Sequence, residues 1–185
     1  EHLLIDEEKM SKSLGNQFNV PDLVTEGFRP SALRYLYIST HYRKQLKFSW
    51  ASLQQAEEAV QRLVDFLARA GSIRGGAAHP DTQARVARAR DDFGAMLEQD
   101  LNTAGALGVV FDLVRALNTA IDAGELGEPD VAVVRSMFDD IDRVLGVLSL
   151  RRSEDASAAI PADEVERLIG ERKAARSRRD FAAAD

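Results

Sequence analysis

Residues 103–122, TAGALGVVFDLVRALNTAID, set Leu107, Val110, Phe111, Val114, Leu117 and Ile121 at steps of one, three and four. That spacing stacks apolar side chains on one face of a helix, where a strand would send them to alternate faces. The same period recurs on both sides. Val86, Phe93, Leu97 and Leu101 precede it at seven- and four-residue steps, and Val134, Met137, Phe138, Ile141, Leu145 and Leu148 follow it. Further upstream, Leu53, Ala56, Val60, Leu63, Phe66, Leu67 and Ala70 trace another broad apolar face. Helices with such faces bury them against one another, so the sequence predicts an all-α helical bundle with no Rossmann domain. Each large side chain buried stabilises by about 1.5–3 kcal/mol before conformational entropy is subtracted, which suffices without metal or disulfide.

Local signals divide the chain. Residues 20–27 and 30–40 read as two short helical stretches, with Leu33, Leu36, Tyr37 and His41 on one stripe. Arg43 to Ser49 reads as a loop. Ser52 and Gln55 fit a capping box for the first long helix, and Gly71 favours its end. Ser72 to Asp81, with Gly75, Gly76 and Pro80, reads as a mobile connector, and Gly124 to Asp130 as a short turn. Arg151 to Ala159 has the composition of a linker. Beyond it, Asp163 and Glu166 suit the start of a last helix on which Arg167, Arg172, Lys173, Arg176, Arg178 and Arg179 crowd together.

The chain has 185 residues, 45% hydrophobic and 29% charged, enough to bury a core. No apolar run reads as a membrane span and no leader segment is recognisable, so the cytoplasm is the expected compartment. A net charge of −6 opposes loose attraction to nucleic acid, so any RNA contact requires locally grouped basic side chains. His2, His41 and His79 lack ligand spacing and there is no cysteine; no metal site is expected.

The chemistry concentrates near the start. His2 to Asp6 reads as a short strand entering an acidic turn, followed by Lys9-Met10-Ser11-Lys12-Ser13 and then Leu14-Gly15-Asn16. Lysines on flexible stems follow a phosphate as charge moves onto a leaving group. Serine hydroxyls add donors, and Gly and Asn suit a tight loop. The stretch reads as a polyphosphate clamp.

This string resembles the KMSKS signature of class I aminoacyl-tRNA synthetases, and Pro30-Ser31-Ala32-Leu33-Arg34 resembles their DALR element. Ser39-Thr40-His41-Tyr42-Arg43 through Phe48-Ser49, with Asp100-Leu101-Asn102-Thr103 and the late Leu168 to Asp185 stretch, resembles cysteinyl-tRNA synthetases in particular. Leu101 and Ala104 depart from that family's Asp-Phe-Asn-Thr-Pro pattern. The resemblance implies a bundle of the DALR anticodon-binding type, preceded by a short strand and the clamp loop. It assigns ATP, with Mg2+, to Lys9, Met10, Ser11, Lys12 and Ser13, with Lys9 and Lys12 catalytic and Lys12 touching ATP. It offers Arg34, Arg43, Arg172, Lys173, Arg176 and Arg179 as candidates for tRNA contact. It divides the chain into residues 1–19, the end of a catalytic domain; 20–50, a connecting segment; 51–150, the bundle; and 151–185, a linker and basic helix leading to an anticodon module.

The implied partners are tRNA(Cys), cysteine and ATP, with zinc in the complete enzyme but no ligands for it here. The chain is expected to be a C-terminal piece, inactive without the nucleotide-binding half. A cysteine ligase of mycothiol synthesis and a non-catalytic tRNA- or protein-binding bundle are the alternatives. Apolar surface left where the catalytic half docks predicts self-association. Size-exclusion chromatography with light scattering should therefore show a mass that rises with concentration; a strict monomer throughout would remove the expectation.

Overall fold

The computed structural model describes residues 19–158, with residues 4, 5, 8, 9, 167, 172 and 176. Among the described residues seven helices account for nearly all regular structure: α1 (Val20–Thr25), α2 (Pro30–Ile38), α3 (Trp50–Gly71), α4 (Pro80–Glu98), α5 (Thr103–Asp122), α6 (Glu128–Leu145) and α7 (Leu148–Ala158). The chain divides into two units, residues 1–151 and 152–185.

In the first unit, α3 to α6 form the expected bundle. Leu63 and Phe66 of α3, Val86 and Phe93 of α4, Leu107 and Leu117 of α5, and Val134 and Phe138 of α6 share one apolar cluster. The Phe66 and Phe138 rings lie 5.4 Å apart at its centre. A second cluster gathers Leu23 of α1, Leu33 and Leu36 of α2, and Leu53 and Ala56 of α3 with Phe48. Tyr35 packs against both.

Three two-residue strands, β1 (Leu4–Ile5), β2 (Glu8–Lys9) and β3 (Lys47–Phe48), form a small sheet in the order β2-β1-β3. β1 runs antiparallel to β2 and parallel to β3, with Leu4 opposite Lys47 and Ile5 opposite Phe48. The stretch read as a loop thus contains a strand. Two residues are too few for a period to be visible, and the partner lies about forty positions away. Phe48, 5% exposed, anchors β3 in the second cluster, and its ring meets Trp50 edge-on at 5.7 Å.

Other readings need correction. α3 is capped by Ser49, not Ser52: the Ser49 hydroxyl accepts from the Ser52 N–H and the Ser52 hydroxyl from the Ser49 N–H, both at 3.0 Å. Serine suits either position, and Trp50, drawn onto Phe48, sets where the helix begins. Tyr37 is 49% exposed and His41 lies past the end of α2, so the buried stripe is Leu33 and Leu36. Leu101 is 63% exposed because α4 stops at Glu98 and the backbone turns left-handed at Asp100 and Leu101, φ 54° and 52°.

The connector before α4 is tied down. The Glu128 N–H donates to the Gly75 carbonyl at 2.7 Å, the Gly75 N–H to the Glu128 carboxylate at 2.8 Å, and the His79 N–H to Asp130 at 2.9 Å. A Cβ on Gly127 would lie 2.1 Å from the Ala77 carbonyl oxygen, so only glycine lets these two backbones meet.

The stretch read as a linker is helical as far as Ala158. Asp142 caps α7, accepting from the Leu148 and Ser149 N–H groups at 2.7 Å each. Arg151, 1% exposed, forms a two-pronged ion pair with Glu57 at 2.6 and 2.7 Å. Polar composition suggested a linker, but the charged residue is buried against a carboxylate from α3. In the second unit, residues 167, 172 and 176 have helical backbone and exposed side chains.

Phe138→Ala, at the centre of the larger cluster, should cost about 3–5 kcal/mol in chemical denaturation. Leu101→Gly, which relieves a left-handed backbone and removes only an exposed side chain, should stabilise by up to about 1 kcal/mol.

Candidate functional site

Lys9 closes β2, its backbone paired with Leu4. Met10, Ser11, Lys12 and Ser13 lie outside the described residues, as do His2, Lys173 and Arg179. What the structure gives is the attachment of the strand that ends at Lys9: β2 hangs on β1, β1 on β3, and β3 on the apolar cluster that includes the first turns of α3.

Behind β3 lies a polar joint. His41, Tyr42 and Arg43 follow α2, and Asp100 to Thr103 connect α4 to α5. The Arg43 guanidinium donates to both Asp100 oxygens, Nε at 2.6 Å and Nη2 at 3.1 Å. The Tyr42 hydroxyl donates to Asp100 at 2.5 Å and accepts from Arg43 Nε at 3.1 Å. Arg43 also lies over the Tyr42 ring, 5.3 Å from its centroid, and the His41 ring stacks on that same ring at 5.0 Å. His41 Nε2 is 3.9 Å from the same carboxylate. Three residues on from Asp100, the Thr103 hydroxyl donates to the Ile38 carbonyl at the end of α2 at 2.7 Å. Thus the two sequence stretches quoted for their resemblance meet in space.

The charges reinforce one another. Hydrogen bonds from Arg43 first, then Tyr42, hold the Asp100 carboxyl below the usual carboxylate range, and Asp100 raises Arg43 in turn. Both side chains face solvent, so the joint gives geometry more than stability.

Arg34 belongs to a different contact. Its Nε donates to the Leu145 carbonyl at 2.6 Å, satisfying an orphan acceptor at the C-terminus of α6. Gly146, φ 62°, lies directly under the guanidinium, and a Cβ there would come within 2.9 Å of it. Arg172 and Arg176 are exposed on helical backbone in the second unit. Of the six basic candidates, the structure therefore ties Arg34 and Arg43 to the first unit and leaves Arg172 and Arg176 on a surface.

Two functional-looking elements escaped sequence reading. Asp100 was visible as part of a pattern but had no assigned role, since its partners lie 57 and 58 residues away. The Arg151–Glu57 pair, 94 residues apart, carried no sequence signal.

Among the described residues no group of three His, Cys, Asp or Glu side chains is placed to hold a metal. The sequence offers no thiolate at all. Among the described residues one helix, α5, is long and apolar enough to cross a membrane, and its Leu107, Val110, Leu113 and Leu117 are buried in the bundle's apolar cluster.

Residues 1–58 match the family model described as the class I (C) tRNA synthetase catalytic domain, and residues 92–150 match the DALR domain. A curated cysteine–tRNA ligase from Protochlamydia amoebophila is 33% identical over 185 residues, covering 100% of this chain and 38% of that protein. Those from Geobacter sulfurreducens and Koribacter versatilis are 40% and 38% identical, covering 98% and 99% of this chain and 40% and 42% of theirs. The chain belongs to the cysteine–tRNA ligase family. It spans about two fifths of the length of the curated ligases it matches. Arg43 lies in the first matched region and Asp100 in the second, so their ion pair joins the two.

The joint's dependence on pH follows from the lowered Asp100 carboxyl. A depressed folded-state value means its contribution is complete above the unfolded value of about 3.9 and is lost as pH falls through the folded one. Backbone NMR shifts at residues 100–103 should stay constant from pH 7 to about 5 and move only on acidification below about 4. Movement already between pH 7 and 6 would rule out Asp100 as the titrating group.

Proposed function

We propose that this chain supplies the ATP clamp and the RNA-supporting helices of a cysteine–tRNA ligase. In the complete enzyme the cysteine carboxylate attacks the α-phosphate of ATP, giving cysteinyl adenylate and pyrophosphate. The terminal adenosine of tRNA(Cys) then takes the cysteinyl group. Lys12, with Lys9 and the Ser11 and Ser13 hydroxyls, stabilises charge gathering on the departing phosphates, and Mg2+ accompanies ATP as substrate. The observation that carries this reading is a whole-chain match to cysteine–tRNA ligases in which Lys9 to Ser13 continues directly from β2.

The division of labour we assign rests on the residue pattern. Residues 1–19 serve the catalytic domain, 20–50 connect, 51–150 form the bundle, and 151–185 carry the basic side chains Arg172, Lys173, Arg176 and Arg179 toward tRNA phosphates. Zinc, if the complete ligase uses it to read the cysteine thiol, is held by residues outside this sequence, which has no cysteine. The isolated chain is inactive in adenylation, and the cytoplasm is the compartment in which such a ligase works. Mycothiol ligation is not favoured, because the match to cysteine–tRNA ligases runs over the whole chain.

In a full-length cysteine–tRNA ligase carrying this segment, Lys12→Ala should lower kcat/KM for ATP–pyrophosphate exchange about 10²- to 10³-fold while tRNA affinity holds. An effect under about threefold would refute the clamp. Replacing Arg172, Lys173, Arg176 and Arg179 together by Ala should weaken tRNA binding and flatten its salt dependence, leaving exchange intact. Unchanged binding would take these residues out of the RNA surface.

A further inference from the structure

We infer that Asp100 is a positioning residue for the clamp, acting through Tyr42 and Arg43 to hold the segment that presents β3 to β1. The inference rests on the clamp reading above, and on a geometric problem that this fold must solve. A parallel pair two residues long has too few backbone hydrogen bonds to fix its own register. One residue of slip would exchange which side chains face the cluster. On its C-terminal side β3 is held well: Phe48 is buried and Ser49 caps α3 directly after it. On its N-terminal side eight residues separate it from the end of α2.

Within those eight residues, Tyr42 and Arg43 both terminate on the Asp100 carboxylate, three donor contacts between 2.5 and 3.1 Å. Arg43's planar fork fixes an orientation as well as a distance. The far end is just as constrained. Asp100 and Leu101 hold left-handed backbone, an arrangement that side-chain-bearing residues adopt at a cost and that persists where surrounding contacts determine it. Those contacts are present: the Leu101 N–H donates to the Leu97 carbonyl at 3.0 Å, the Asn102 N–H to the Met96 carbonyl at 3.2 Å, and Thr103 to the end of α2. Asp100 thus stands on a rigid turn between two bundle helices and reaches out to the segment leading into the sheet. Because β2 with Lys9 is two strands away, a shift of β3 is carried to the clamp.

This role differs from tRNA contact by Arg43, which would make the guanidinium a phosphate ligand rather than a strut. It also differs from a contribution to overall stability, which two exposed partners supply only weakly.

The variant that separates these roles is Asp100→Gly, which removes the carboxylate while leaving the left-handed turn unstrained, so the bundle folds. On this chain, amide hydrogen exchange at Leu4, Ile5, Lys47 and Phe48 should quicken about three- to tenfold, with α5 and α6 amides unchanged. Tyr42→Phe combined with Arg43→Gln should reproduce that effect, and adding Asp100→Gly to the pair should change nothing further. In a full-length ligase carrying the segment, Asp100→Gly should lower kcat for ATP–pyrophosphate exchange about three- to tenfold with tRNA affinity unaltered. Unchanged exchange at the strand amides, or a uniform rise throughout the bundle, would overturn the inference. So would weakened tRNA binding with normal kcat, which would make Arg43 an RNA ligand. The hydrogen-exchange readout does not depend on the clamp being catalytic. If Lys12→Ala leaves the full-length ligase active, the clamp reading fails, while the strand amides still report whether Asp100 holds β3.

Discussion

Leu53 and Ala56, on the first turns of α3, face one apolar cluster, and Val60, Leu63, Phe66 and Ala70, further along the same helix, face another. A single rigid helix of 22 residues therefore carries both the short helices α1 and α2 and the long helices of the bundle. Its apolar residues cannot leave one cluster without dragging on the other. Everything else is attached to this axle: α1 and α2 through Leu23, Leu33 and Leu36, the sheet through Phe48, and the start of α7 through Arg151 on Glu57.

Polar contacts then set geometry that apolar burial leaves free. Arg34 on the α6 terminus, Thr103 on the end of α2, and Asp100 on Tyr42 and Arg43 all bridge α2, or the loop after it, to one end of the bundle. Hydrophobic contact is nondirectional and would accept small rotations of α2. Hydrogen bonds of 2.5–2.7 Å with fixed donor directions do not. Burial supplies the mass and directed bonds supply the registration.

Net charge points the same way. A net charge of −6 gives no diffuse attraction for polyanions, so basic groups count by placement. Arg34 and Arg43 are occupied in holding helices and loops together. Arg172 and Arg176 are exposed in the second unit.

Helical periodicity made α3 to α6 legible from residues alone, because a repeat of three and four is local and is enforced by backbone geometry whatever the partner. The family, too, was readable, since Lys9 to Ser13 and the His-Tyr-Arg stretch are contiguous strings. What remained hidden depends on partners far along the chain. β3 is invisible in two residues until β1 lies beside it. The buried role of Arg151 requires Glu57, and the helical rather than linking character of its neighbourhood follows from Asp142 capping α7. The exposure of Leu101 comes from a left-handed turn that hydrophobic spacing cannot reveal. The sequence thus determined that α3 to α6 are helical and which family its strings resemble. Tertiary structure alone decided which helix ends meet, because that choice is made by hydrogen bonds and ion pairs between residues 57 to 111 positions apart.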